Sequence, residues 1–372
     1  MKKTNRCYVD IHVLQTVPPS CVNRDDTGSP KTAVYGGVTR ARVSSQAWKR
    51  AVRLAFREMY EPEQLGTRTK QFISSLAKCF IEQKPDLSEE DAIKLAKEAL
   101  VTAGAIKKAD KKKNSSNKNE KEDEDSKSDV WLFFSKAQFQ KLAALALSGE
   151  KKKELFSQAL KENPSIEQAL FGRMVAADSK LNYDAAVQVA HSISTHAVQN
   201  EFDFFTGWDD EAEAVGHLGT KEYNSATLYR FATVNVGELS ELLKTDSIEA
   251  VKRFVKAFCE SMPQGNKSSF APFVLPDAVY IAVRGDQPVN LVGAFERPVQ
   301  ARGEGYLAAS EAALVAYSEK VYENFAARPL LALGASNSGT LPPETDRMNL
   351  SQVYDRLEAF LSTYLTNGEA AR

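Results

Sequence analysis

The chain has 372 residues, 43% of them hydrophobic, with 48 Lys and Arg against 49 Asp and Glu and a formal net charge of -1. That allows a large core and two or three domains, or one domain with long insertions. It excludes a protein that is basic all over, a disulfide framework (Cys7, Cys21, Cys79 and Cys259 form no close pair) and a spanning helix, which needs an apolar run of ~20 residues.

The N-terminus, MKKTNRCYVDIHVLQT, lacks a signal-peptide core, so a soluble cytoplasmic protein with reduced thiols and no membrane contact is expected. Tyr8–Gln15 alternates as a strand, with Pro18-Pro19 ending it. A polar loop, Gly36-Gly37 and a short extended segment Val38–Val43 follow. Ser44 or Ser45 can cap a helix reaching about Tyr60, with Trp48, Val52, Ala55, Phe56 and Met59 as its apolar stripe. Residues 61–164 show helical spacing in three stretches, interrupted by the polar segment 107–129, which has no apolar residue larger than Ala and is expected to be a disordered surface insertion without function.

Strand patterns then dominate. They are expected at Ala169–Val175, Ala186–Val198, Thr227–Val236 and Ala278–Arg284, with a loop or projecting hairpin over Asn200–Thr227. Helices are expected at Ile248–Met262, Glu311–Phe325 and Leu350–Leu365. The order points to an α+β domain that detours into a helical insertion and carries an RRM-like, ferredoxin-like sheet. The expected division is 1–60 and 165–372 for the sheet domain, 61–164 for the helical insertion, and 200–226 for the hairpin.

The stretch KTAVYGGVTRARVSSQAWKRAVRLAFR holds Lys31, Arg40, Arg42, Lys49, Arg50, Arg53 and Arg57, and no acid. Cations gathered without compensation repel one another, and a phosphate backbone offsets that repulsion while releasing its counterions. Gln46 and the serines can bond phosphate oxygens or a ribose 2′-hydroxyl, and Gly36-Gly37 leaves room for a backbone to approach. The alternative is a solvated basic face paired to acids elsewhere. Asp25 and Asp26, in NRDD, could hold Mg²⁺ or form a turn around Arg24. His12, His191, His196 and His217 are scattered, and a structural or RNA-contacting role suits them better than acid–base catalysis. Phe202, Phe204, Phe205, Trp208 and Leu218 in an acidic, Gly-bearing segment suit base stacking or a local mini-core equally. Walker A, GxSxG, HExxH and dinucleotide-binding fingerprints are absent.

DIHVLQTVPPSCVNRDD, KTAVYGG and RVSSQAWKRAVR resemble the N-terminus of the CasC family, the backbone subunit of the type I-E CRISPR surveillance complex called Cascade. ALFGRMVA, VAHSISTHAVQNEFDFFT, DDEAEAVGHLGTKEYNSATLYRFATVNV and GAFERPV continue the resemblance in order, over most of the chain outside 61–164. The resemblance implies an RRM-like palm, helical fingers and a thumb hairpin. It implies a non-enzymatic subunit that stacks in several copies along CRISPR RNA beside other Cascade subunits, without metal or cofactor. Guide segments would pair with target DNA, which a recruited helicase-nuclease cuts. Position by position, Arg24, Lys31, Ser44, Gln46, Lys49, Arg50 and Arg53 match the guide-binding palm, and the basic stretch adds Arg40 and Arg42. Arg173 and Met174 match a segment against the bases. Phe204, Phe205 and Leu218 match the thumb, to which Trp208 is added for its chemistry. Val38 departs from the family, where a basic residue is expected. Backbone subunits of the related type III complexes cut RNA with an Asp in the loop after the first strand, so Asp25 and Asp26 make a metal-dependent endoribonuclease the alternative.

Overall fold

The computed structural model describes residues 6–107, 131–211, 214–301 and 303–370. The expected insertion at 107–129 therefore lies outside the described residues, apart from Lys107. The chain divides into two compact units: one of residues 1–56, 187–237 and 248–372, the other of residues 57–186 and 238–247.

The first unit is built on one sheet. Its strands are β1 (Tyr8–Ser20), β2 (Thr32–Tyr35), β3 (Val38–Val43), then, past β4 (Gly66–Thr69) and β5 (Leu132–Ser135) of the other unit, β6 (Val187–Val189), β7 (Ser192–Ser194), β8 (Glu201–Asp209), β9 (Ala214–Asn235), β10 (Ala278–Arg284), β11 (Leu331–Ser336) and β12 (Asp346–Arg347). The order is β12-β11-β10-β1-β9-β7-β3-β2, with β6 and β8 also on β9. β1 sits centrally, antiparallel to β10 and β9, with Ile11 opposite Ile281 and Ala232.

Both faces of β1 are covered, so both alternating sets are buried. His12 and Leu14 share one face with Tyr229, Phe231 and Tyr280, under Leu314 of the helix Leu307–Asn324. Val9, Ile11 and Val13 share the other with Arg230. There the Arg230 guanidinium lies 3.7 Å from the Trp48 ring centre and 4.6 Å from that of Phe258, on the helix Ser247–Glu260. β1 runs through Pro18-Pro19 instead of stopping there: pairing with β9 breaks after Val17 and resumes at Ser20, a bulge that accommodates two residues without an N–H. β9 outruns β1. Its 224–235 half pairs with β1, and its first half pairs with β8 as a hairpin.

The second unit is helical: α1 (Ser45–Met59) of the sheet unit ends in it, followed by α2 (Phe72–Gln83), α3 (Glu89–Thr102) and the helices Lys136–Leu147, Lys153–Lys161 and Ile166–Phe171. Phe72, Leu76, Phe80, Leu100, Phe134, Leu142 and Leu160 form its core. β4 and β5 pair antiparallel here, a ribbon the helical pattern did not announce. The strand expected at Ala169–Val175 is instead the helix Ile166–Phe171, started by a capping box between Ser165 and Gln168 and stopped by Gly172 at φ 77°. Residues 165–186 thus belong to the helical unit. The α+β class stands: a multi-stranded sheet core, a helical insertion and a hairpin extension.

Candidate nucleic-acid interface

α1 has two faces because its apolar residues recur at helical spacing. Trp48, Ala51, Val52 and Phe56 are buried, and Trp48 donates to Ser192 Oγ at 2.9 Å. Gln46, Arg50 and Arg57 are exposed, with Lys49 and Arg53 half-buried beside them. Ser44 caps the helix: its Oγ accepts from Ala47 N–H at 3.3 Å. Its own N–H donates to Asn23 Oδ1 at 2.8 Å, while Lys31 N–H donates to Asn23 O at 3.0 Å. Asn23 thereby ties the loop after β1 to the start of α1, which brings Arg24, Lys31, Arg42 and the α1 cations into one region. Among the described residues no carboxylate is paired with Lys31, Arg42, Lys49 or Arg50. Burial lowers the Lys49 amine below its usual range.

Two expected contacts leave this set. Arg40 is completely buried, and its guanidinium donates to the carbonyls of Tyr35 (3.1 Å), Ser194 (3.0 Å), Phe295 (2.8 Å) and Glu296 (3.3 Å). Its donors are engaged within the protein, so it pins the β2–β3 hairpin and offers nothing to a phosphate. Arg173, in the helical unit, is likewise buried: it donates to Leu181 O and Gln138 Oε1, and its guanidinium lies 4.4 Å from the Tyr183 ring centre. Burial pushes it down to about 10. Its neighbour Met174 is 80% exposed and free to meet a ligand. Gly36 also has an internal reason: a Cβ there would stand 1.7 Å from Glu296 O.

Asp25 organises its loop. One oxygen accepts from Thr27 Oγ1 (2.7 Å), Thr27 N–H (2.9 Å) and Ser29 N–H (3.0 Å). The Thr27 hydroxyl, then these amides, hold its carboxyl below the usual range. This is the turn form of NRDD, with Arg24 exposed beside it. Among the described residues no group of three or more His, Cys, Asp or Glu could hold a metal ion.

The β8–β9 hairpin resolves its aromatics by strand parity. Phe202, Phe204 and Trp208 project from one face of β8, and Leu218, opposite Thr206, joins them; all four are exposed. Phe205 points the other way. It covers Gly219, where a Cβ would stand 2.4 Å from its Cζ, and Lys221 Nζ lies 4.9 Å from its ring centre. Phe205 is thus the hairpin's own core, and the other four form an apolar surface available for stacking.

Three histidines have settled environments. His12 is buried, bonded through Nδ1 to Tyr229 OH at 2.8 Å, and burial pushes it down to about 3. His196 is buried and stacked on Tyr306; its Nε2 accepts from Thr227 N–H, so Nδ1 donates to Ala197 O. His191 is exposed, in a break between β6 and β7, with Nδ1 3.1 Å from an Arg42 nitrogen. By residue type and spacing it stands no higher than the other histidines, and only the β3–β7 pairing sets it apart.

A family model described as CT1975-like protein matches residues 9–362. A chain solved as "CRISPR RNA-guided surveillance complex, pre-nicking" is 31% identical, with a TM-score of 0.78 over 95% of this chain and 99% of its own. A second, from a "CRISPR RNA-guided surveillance complex", is 29% identical, with a TM-score of 0.71 over 95% and 99%. No curated protein matches the sequence.

Proposed function

Because this chain belongs to the CT1975-like family, we propose that it is the CRISPR RNA-binding backbone subunit of a type I-E surveillance complex. What carries the proposal is the 31% identity to a surveillance-complex chain over 95% of this one. Several copies stack along one guide, beside the other subunits of the complex. Arg24, Lys31, Arg42, Ser44, Gln46, Lys49, Arg50 and Arg53 hold the guide phosphates in the first unit, where a carboxylate would repel the ligand. In this division the sheet unit is the palm, the helical unit the fingers and the β8–β9 hairpin the thumb. Phe204, Trp208 and Leu218 wedge against a base of the guide, with Phe205 stiffening the hairpin behind them. Met174 lies against the bases. The guide segments left exposed pair with target DNA, so base pairing reads sequence while the protein reads backbone and shape. A separate helicase-nuclease, recruited to the complex, does the cutting.

The subunit works in the cytoplasm; among the described residues no helix is long and apolar enough to cross a membrane. It does not cleave. Of Asp25 and Asp26, the carboxylates an endoribonuclease would use, Asp25 is engaged by its own loop through three hydrogen bonds, and among the described residues the two are joined by no third ligand in a group that could hold a metal ion.

The test is to express the chain with its CRISPR array and neighbouring genes and to sequence the nucleic acid that co-purifies. Processed guide RNA of uniform length in a multi-subunit particle supports the proposal, and an RNA-free monomer sinks it. Lys49→Glu should weaken binding of all RNA sequences about equally and flatten the salt slope by about one unit. Regularly spaced cuts in complementary RNA with Mg²⁺ that depend on Asp25 or Asp26 would establish the nuclease instead.

A further inference from the structure

We propose that His191 is a further guide-contacting residue: a neutral hydrogen-bond donor to the RNA backbone, held in place by Arg42. This rests on the RNA-binding role above. The Arg42 nitrogen lies 3.1 Å from His191 Nδ1. A guanidinium has only donors, so Nδ1 must be the acceptor and carry no proton. The neutral ring then bears its hydrogen on Nε2. The side chain is exposed, and among the described residues no protein group accepts from Nε2. Phosphate oxygens only accept, so an outward N–H beside two cations is matched to them.

The placement is built rather than incidental. Arg42 Nε donates to Thr32 O at 3.0 Å, which fixes the plane of the guanidinium and, through it, the imidazole. Arg42 pairs with Ile193 and Val43 with Ser192 between β3 and β7. Continued by one residue, that register sets His191 opposite Ser44, the cap of α1. The charged groups acting on His191 are Arg42 and Lys31, both cations. Partial desolvation, then Arg42, then Lys31 hold the imidazole below its usual range, in keeping with a neutral ring at pH 7. His191 therefore adds a directed bond without adding a charge, unlike Lys31 and Arg42.

That difference is measurable. An oligouridine RNA is titrated at pH 7.5 across a salt series with the wild-type chain, His191→Ala, His191→Gln and Arg42→Gln. His191→Ala should lose about tenfold in affinity, the worth of one bond to a charged acceptor, with its salt slope unchanged. Arg42→Gln should flatten the slope by about one unit. His191→Gln, whose amide nitrogen replaces Nε2, should stay within about threefold of wild type, because the donor is kept. Ring ¹⁵N spectra of the wild-type chain should show the proton on Nε2. The inference is overturned if His191→Ala binds like wild type, if its slope falls as for a lost cation, or if the proton sits on Nδ1. Should the wild-type chain bind no RNA at all, it is the RNA-binding role that fails; the ring tautomer still decides the Arg42 link by itself.

Discussion

Arg40 belongs to the acid-free basic stretch, yet the structure turns it inward, and the two roles predict opposite results. In Arg40→Met the side chain keeps most of its length and loses every donor. Two of its bonds, to Ser194 O at 3.0 Å and Phe295 O at 2.8 Å, are buried. Leaving a buried acceptor unsatisfied costs about 1–3 kcal/mol, so the pair costs about 2–6 kcal/mol. The mutation also relieves the burial of a guanidinium, which lowers the Arg40 pKa. That relief offsets part of the loss and places the net destabilisation near the lower end, about 2–3 kcal/mol. With a urea m-value of about 2 kcal/mol/M, the midpoint should fall by about 1 M or slightly more. Trp48 is 1% exposed while Trp131 and Trp208 are 53% and 62% exposed, so the blue-shifted tryptophan emission reports the sheet unit. The comparison is Arg50→Gln, an exposed cation on the same stretch. It should leave the stability within about 0.5 kcal/mol of wild type and flatten the RNA salt slope by about one unit. If Arg40→Met unfolds at the wild-type midpoint and flattens the salt slope, Arg40 meets phosphate and its buried role is wrong.

Removing Phe204 and Trp208 together should leave stability intact, since both are exposed, but should weaken guide binding by about 1–3 kcal/mol per base no longer stacked; 2-aminopurine placed at successive guide positions should brighten where it loses its aromatic partner, and an unchanged signal would contradict the stacking. Gly219→Ala should displace Phe205 and fray the hairpin, because the new Cβ would stand 2.4 Å from its ring. Hydrogen exchange should then accelerate at Glu201–Asp209 and stay slow at Tyr8–Gln15; equal acceleration of both would contradict this. His12, at about 3 in the folded state against 6.5 ordinarily, binds fewer protons folded than unfolded between those values. Its contribution to stability is therefore complete above pH 6.5 and is lost as pH falls, by about 1.4 kcal/mol per unit. His12→Asn should remove that slope between pH 6.5 and 5, and an unchanged slope would place the titrating group elsewhere.

Much of the molecule is legible in order along the chain because its signals are local. The alternation of Tyr8–Gln15 and Ala278–Arg284 has period two, and a strand with that period forms wherever a partner covers it. The two faces of α1 follow from helical spacing, and the run of cations without an acid marks the exposed one. A short apolar run such as Ala169–Val175 carries no period that separates strand from helix; the Ser165-to-Gln168 spacing did signal a helix start there. The turn at Asp25 was likewise among the alternatives that the residue types allowed, whereas the division of the hairpin aromatics between two faces follows from the β8–β9 register.

Those local patterns determined the fold class, the central strand, the aromatic hairpin and the general place of the basic surface. Only the tertiary structure decided which cations remain on that surface. Arg40 meets its carbonyl partners 154 and 255 residues away, and nothing within a window around it announces them. Gly36 is required by Glu296, and His191 is singled out by Arg42, across equally long separations. Whether a guanidinium faces water or carbonyls depends on what the folded chain brings to it, and periodicity, which acts over a few residues, carries no information about that.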